Sequence, residues 1–355
     1  MPTTKKQHKI PVKAIIVTLT AIFTLYVVTS TIICGYFLDD FFGKAEMSEY
    51  SSRLRYSDIA RDYDRTPISF QSGKNTLRGY IYGEENTKGL VVVSHGLGGG
   101  AEDYTDIIKY FVDNGWRVMA YDNTGGYNSD GDGAVGLAQS AIDLDAALTY
   151  IENNSALSSL PKVLIGHSWG GYAVSAVLNF EHDVKAVAEF SGYAMPLDML
   201  AEFAGRLIGT PLTVMEYPFL WMYNTAAFGD KAGLSAIDGI NGADIPVMVI
   251  HGDKDPTVSA IGAGIIAHRG EITNPNAQFV LIENRKHNDI FYSDRAIEYI
   301  QELNEDYNDL YEQFDGNIPH ELEAHFYNEI DKALAGELNG ELFGQINEFF
   351  ENAIQ

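Results

Sequence analysis

The chain has 355 residues, with 24 lysines and arginines against 49 aspartates and glutamates and a formal net charge of −25. Nucleic acid is bound through a basic face that displaces counterions, and no Lys/Arg-rich stretch exists beyond the N-terminus, so the charge balance argues against such a partner. The single cysteine, Cys34, excludes a disulfide framework and a cysteine-based zinc site. The length suffices for one large core with an appendage.

Residues 1–13 carry Lys5, Lys6, Lys9 and Lys13 and no acid. Residues 14–38 then run without a charge up to Asp39 and Asp40. Crossing the hydrocarbon of a bilayer takes ~20 such residues, so 14–38 reads as a transmembrane helix. A cleaved signal peptide would have an apolar region of about 7–15 residues and a small-residue cleavage site, which fits less well. A lipoprotein-type cut before Cys34 would want a small residue where Ile33 stands. Lysines before the span and aspartates after it place the N-terminus in the cytoplasm and the rest outside, in a single-pass protein of the cell membrane.

Residues 39–66 read as a connector and 67–301 as an α/β domain. Thr76 to Gly83 alternates like a half-buried strand, and Gly89 to His95 is a buried-strand run. Helix signals follow from Glu102 to Asn114, then a strand from Trp116 to Asp122, a helix from Gln139 to Asn153 and a strand from Lys162. After a helix to Phe180 come a strand from Val184 to Phe190, an irregular insert from about Gly192 to Gly242, and a strand from Pro246 to His251. A helix near Ala260 to His268 and a strand from Gln278 to Glu283 follow. Strands alternating with helices imply a mostly parallel sheet covered on both faces, with ligands at the strands' C-terminal ends.

The chemistry gathers at those ends. Gly166-His167-Ser168-Trp169-Gly170 follows a strand and opens a helix, the setting in which a sharp turn lifts a serine hydroxyl above the sheet. A serine needs a base, and the base an orienting group. Downstream lie His251-Gly-Asp253-Lys-Asp255 after one strand and Asn284-Arg-Lys-His287 after the next, in the order Ser, Asp, His. Ser94-His95-Gly96-Leu97-Gly98-Gly99-Gly100 follows another strand.

In these four motifs the chain resembles the α/β-hydrolase superfamily over roughly 76–299, and within it the capped serine hydrolases that include monoacylglycerol-lipase-like esterases and serine aminopeptidase-like members. The resemblance implies an α/β-hydrolase fold with a small helical cap at about 193–242. It implies Ser168 as nucleophile, His287 as base and Asp255 as orienting carboxylate, with Asp253 the rival for that third role. It also implies an oxyanion hole made by the backbone N–H groups of Leu97 and Trp169. The reaction requires no cofactor and no metal. Where many relatives carry arginine this chain has Thr124, so a salt bridge common among them is expected to be missing.

The insert is crowded with large apolar residues, among them Met199, Phe203, Trp221 and Met222, expected to line a pocket for a hydrophobic or lipid-like acyl group. Three other readings compete. Gly96-x-Gly98-x-x-Ala101 with Asp122 about 20 residues on has the form of a dinucleotide fingerprint, but leaves His95 and the Ser-Asp-His series unexplained. Asn128-x-Asp130-x-Asp132-Gly133 begins like a calcium loop, yet Gln139 stands where its bidentate glutamate belongs. A membrane-tethered adaptor would use the acidic tail, 302–355, whose only Lys or Arg is Lys332. That tail carries a helical stripe through Phe326, Ile330, Leu334, Leu338, Leu342, Ile346 and Phe350, and reads as an extension packed on the domain. The reading favoured is a membrane-anchored serine esterase, with a serine aminopeptidase-like amide hydrolase as the alternative.

Overall fold

A computed structural model describes residues 11–355; Lys5, Lys6 and Lys9, on which the predicted orientation of the N-terminus rests, lie outside the described residues. The strands are β1 (Arg65–Ser72), β2 (Asn75–Tyr82), β3 (Leu90–Ser94), β4 (Arg117–Tyr121), β5 (Lys162–His167), β6 (Val184–Phe190), β7 (Val247–Gly252) and β8 (Ala277–Ile282). They form one sheet in the order β1-β2-β4-β3-β5-β6-β7-β8. β2 runs antiparallel to both its neighbours, and every pairing from β4 onward is parallel. This is the α/β-hydrolase fold. The inner strands β3, β5 and β7 are buried along their whole length, as continuous Val/Ile/Leu runs must be when helices cover both faces.

The helices are α1 (Val12–Phe41), α2 (Tyr56–Ile59), α3 (Thr105–Asp113), α4 (Gln139–Asn153), α5 (Trp169–Ala176), α6 (Pro196–Ile208), α7 (Thr210–Phe228), α8 (Ala236–Gly242), α9 (Asp294–Gln313), α10 (His320–Asn328), α11 (Lys332–Ala335) and α12 (Gly340–Ala353). Leu144 of α4, Ala173 of α5 and Ile240 of α8 cover one face of the sheet. Phe111 of α3 and Phe343 and Phe350 of α12 cover the other. α12 is fastened there by Trp116, whose indole N–H donates to Asn347 at 2.8 Å.

Three stretches differ from the sequence reading. The insert is not irregular: α6 and α7 form a helical hairpin. Pro196 and Pro211 fall in the first turns, where a missing N–H costs nothing, and Gly209 turns the chain at φ +79°. Apolar residues all round α7 hid its period. No helix forms over 260–268 beyond a single 3₁₀ turn, Ile265–His268, because Gly262 and Gly264 interrupt it and the Glu202 carboxylate takes the N–H groups of Ser259 and Ala263. The C-terminal stripe is broken at 329–331 and at 336–339 into α10, α11 and α12, and only α12 brings consecutive stripe positions, Leu342, Ile346 and Phe350, into the core.

α1 is a 30-residue helix, long and apolar enough to cross a membrane. Its C-terminal end joins the core through Leu38 and Phe42, each 2 % exposed. The connector after it is sewn to the domain. The Phe42 carbonyl accepts the Ala134 N–H at 2.7 Å, and the Ala45 N–H donates to the Gly125 carbonyl at 2.9 Å. Further along, the Arg65 guanidinium lies between the rings of Tyr56 and Tyr80 and pairs with Glu102 at 2.6 Å.

Candidate active site

Ser168 stands between β5 and α5 at φ +56°, ψ −114°, a strained conformation for a residue with a side chain. The turn is possible because Gly166 and Gly170 flank it. A Cβ on Gly166 would lie 2.2 Å from the Gly170 carbonyl oxygen, and one on Gly170 would lie 2.0 Å from that of Ser94. The Ser168 N–H donates to the Phe190 carbonyl at 2.7 Å, which ties the turn to β6.

His287, in the loop after β8, is 7 % exposed, and its Nδ1–H donates to Asp255 Oδ2 at 2.7 Å. Asp255 Oδ1 accepts the N–H groups of Thr257 and Val258 at 2.8 and 2.9 Å, and His251 Nε2 lies 3.4 Å from its Oδ2. Burial alone would raise this carboxyl. Hydrogen bonds from His251 and His287, and from the Val258 amide, overcome burial and hold it well below the usual carboxylate range. Asp255 therefore stays ionised behind the imidazole and fixes which ring nitrogen faces the cavity. Asp253 does not approach His287; it accepts the Asn284 N–H at 2.6 Å.

The loop after β3 is pinned by its own histidine. The Asn123 N–H donates to His95 Nε2 at 2.8 Å, leaving Nδ1–H to donate to the Gly96 carbonyl at 2.7 Å. The Gly96 N–H donates to the Tyr104 hydroxyl at 2.9 Å, which donates to His167 Nδ1 at 2.9 Å, and His167 Nε2–H donates to the His287 carbonyl at 3.0 Å. Burial first, and the neighbouring His287 second, push His167 down to about 3, so it stays neutral and holds this tautomer. Sequence reading treated His167 as part of the turn; its role as a strut between the β3 loop and the His287 backbone depends on contacts 63 and 120 residues apart. Among the described residues, neither the Leu97 nor the Trp169 backbone N–H donates to a protein acceptor, and both residues line the same cavity as Ser168 and His287.

That cavity measures about 700 Å³, a size suited to a small-molecule ligand. Met199 and Phe203 line it. Trp221 and Met222 do not: they lie on the outer side of α7, 53 % and 44 % exposed. Two contributors were not foreseen. Phe41, the last residue of α1, forms part of the wall, with its ring 4.6 Å from that of Phe203. Arg53 of the connector also lines it, lying over the Tyr292 ring and donating to the Ala335 carbonyl. α6 is latched to the loop carrying Asp255: Glu202 caps it as described, and Arg206 donates to the carbonyls of Pro256 and Thr257, both at 2.6 Å.

The competing motifs have other uses. Asp122 is buried, and its carboxylate accepts the N–H groups of Ala101 and Asn128, so the acid a dinucleotide reading assigns to a ribose is spent on tying loops. Asp130 accepts the Thr76 N–H at 3.0 Å, and no group of metal-ligating side chains occurs among the described residues. Thr124 donates its N–H and hydroxyl to the fully buried Asp143, which also accepts from Ser72 and Gln139. Neutral donors alone satisfy this carboxylate among the described residues.

With this geometry in place, similarity to known proteins becomes informative. The sequence profile of the serine aminopeptidase S33 family (Hydrolase_4) matches residues 85–210. The fold is similar to that of a Pyrococcus furiosus esterase, at 15 % identity and TM-score 0.52 over 69 % of this chain and 90 % of the esterase. It is also similar to GrgF, an α/β hydrolase of Penicillium sp. sh18, at 18 % identity and TM-score 0.51 over 69 % and 97 % of the two chains. No curated protein matches the sequence. The fold these comparisons share with this chain is the α/β-hydrolase fold. The profile match over 85–210 points to a serine hydrolase of that fold.

Proposed function

We propose that this α/β hydrolase is a membrane-anchored enzyme that cleaves carboxylic esters carrying a hydrophobic acyl group. The observation that carries the reading is the ionised Asp255 holding His287 in a cavity shared with Ser168 and two backbone N–H groups that have no protein acceptor. His287 takes the Ser168 proton as the oxygen attacks the ester carbonyl, and the Leu97 and Trp169 amides receive the charge on the carbonyl oxygen. The imidazolium then protonates the departing alcohol. Water, deprotonated by the same histidine, attacks the acyl-serine and releases the acid.

The apolar wall of Leu97, Leu137, Met199, Leu200 and Phe203 favours a hydrocarbon chain over a polar one. α1 supplies the anchor, with the enzyme outside and the N-terminus in the cytoplasm, by the asymmetry of lysines before it and aspartates after it. The serine aminopeptidase profile favours a second reading, amide hydrolysis next to a free amine, for which Asp103 is the carboxylate at the cavity wall.

A fluorophosphonate probe, which loses fluoride to an activated serine, should label the purified protein stoichiometrically. Ser168→Ala should abolish labelling and cut ester turnover by about 10⁶. A tenfold loss would refute the assignment. Turnover of p-nitrophenyl esters of increasing length, set against aminoacyl anilides, chooses between the two substrate classes.

A further inference from the structure

The cap hairpin exposes apolar side chains where it runs beside the anchor. Leu207, Ile208, Leu212, Val214 and Met215 are between 43 % and 70 % exposed, and from 207 to 228 the only charged residue is Glu216. That carboxylate is directed at α1, accepting the Ser30 hydroxyl at 3.1 Å. The Tyr26 hydroxyl donates to the Met215 carbonyl at 2.8 Å, and its ring packs edge-on against Phe219 at 5.6 Å. At the other end Tyr223 donates to Asp39 at 3.1 Å. These contacts pair 215 with 26, 216 with 30 and 223 with 39, so α7 runs in the same direction as α1 and alongside it.

Tyr26 is near the middle of the apolar stretch 14–38. If that stretch crosses a bilayer, whatever is bonded to Tyr26 lies within the bilayer too. An exposed patch of this kind is costly in water and at no cost in hydrocarbon. The backbone there is helical, so most of its hydrogen bonds are made internally, as hydrocarbon requires, with Pro218 of α7 the interior position that has no N–H to donate. The turn itself is helped by Thr213, whose hydroxyl donates to the Gly209 carbonyl at 3.1 Å.

From these contacts, and resting on the proposal that α1 is a membrane anchor, we propose that the α6–α7 hairpin is a second bilayer-inserted element, and that the active-site cavity receives acyl lipids from the leaflet along the α1–α6 seam. The seam leads to the site: Phe37 and Phe41 of α1 stack on Phe203 of α6, at 6.5 and 4.6 Å, and Phe41 and Phe203 both line the cavity. The anchor is thus one wall of the site as well as a tether.

Single cysteines at Val214, at Ile22 of α1 and at Asp309 of α9, each in the full-length Cys34→Ala protein, would carry an environment-sensitive NBD label in phosphatidylcholine/phosphatidylglycerol vesicles containing brominated lipid. The expected result is strong bromine quenching at 22 and 214 and little at 309. Quenching at 22 without quenching at 214 overturns the inference and leaves the anchor standing; quenching at neither overturns both. A second measurement uses the double variant Leu212→Asp, Val214→Asp. Its hydrolysis of a long-chain ester presented in vesicles should fall at least tenfold, while hydrolysis of dissolved p-nitrophenyl butyrate stays within twofold. An equal loss on both substrates, or no loss on either, refutes delivery from the bilayer.

Discussion

The two sides of the cavity are built by opposite means. On the sheet side, Ser168, His287 and Asp255 sit on short loops after β5, β8 and β7 and are framed by a polar network: His95 is held by Gly96 and Asn123, His167 by Tyr104 and the His287 carbonyl, and Asp255 by two histidines and two amides, while His251 Nδ1 and Asn123 Oδ1 have no partner among the described residues. On the anchor side, α1, α6 and α7 meet through aromatic contacts and a few polar bonds, and much apolar surface is left exposed. A dense polar network fixes geometry because each unpaired buried group would cost about 1–3 kcal/mol. Apolar contact holds position loosely but accepts substrates of varied length. The contrast predicts that damage on the sheet side changes the rate for every substrate, whereas damage on the anchor side changes which substrates are used.

The most severe way to break the contrast is Asp255→Asn. The amides of Thr257 and Val258 still have an oxygen to bind, so the loop should keep its shape. The asparagine cannot, however, both accept from His287 Nδ1–H and stabilise the imidazolium. Turnover should fall by about 10⁴, equally for butyrate and for long-chain esters, with little change in KM. A loss confined to long chains would mean that Asp255 shapes the pocket instead of orienting the base.

The opposite test is Phe203→Ala. It removes the ring that joins the α1 end to the cavity wall while leaving the sheet side intact. For esters long enough to reach it, kcat/KM should drop roughly 10- to 100-fold, the ~1–3 kcal/mol of a lost apolar contact. Short esters should be hydrolysed as before. If short and long esters suffer alike, the cap controls the geometry of the reacting groups and the two sides are not separable. Stopped-flow rates on a chain-length series check this.

The same contrast decides what could be read from the sequence. The turn at Ser168 was legible because its requirements are local: a β-run, two glycines within two positions and a helix. The loop with His287 was legible through order along the chain. The pairing of Asp255 with His287 needed the resemblance as well, since Asp253 stands two residues away on the same loop, and only the fold shows that its carboxylate is turned to Asn284. The anchor side was largely hidden. Apolar residues occur all round α7, so nothing in their spacing says that Trp221 and Met222 face outward while Phe219 and Leu220 face in. Phe41 falls within the predicted connector, because a residue just past an apolar run gives no sign of which cavity it will reach. Arg53 becomes part of the site only through long-range contacts with Tyr292 and Ala335.

The mildest test lies outside both sides, where α3 meets the C-terminal helices. Asp106 is 7 % exposed and its Oδ2 has no hydrogen-bond partner among the described residues. Burial raises its carboxyl from 3.8 to about 7, with Arg53 and Lys109 opposing and Asp58 reinforcing the rise. The folded protein therefore keeps a proton that the unfolded chain releases above pH 4. Between about pH 4 and 7 the unfolded state binds fewer protons, so stability must fall as pH rises, and the loss should level off above 7. A shift of this size corresponds to a few kcal/mol, or several degrees in Tm for a chain of this length. Asp106→Asn cannot ionise. Its Tm should fall less than that of the parent between pH 5 and 8, though still somewhat, because Glu189 is also buried and raised to about 8. Ester turnover at pH 7 should be unchanged within twofold. A variant whose Tm follows the parent's pH profile would show that Asp106 is ionised in the folded state. A variant that loses turnover at pH 7 would couple the far face of the sheet to the cavity and erase the separation between stability and chemistry.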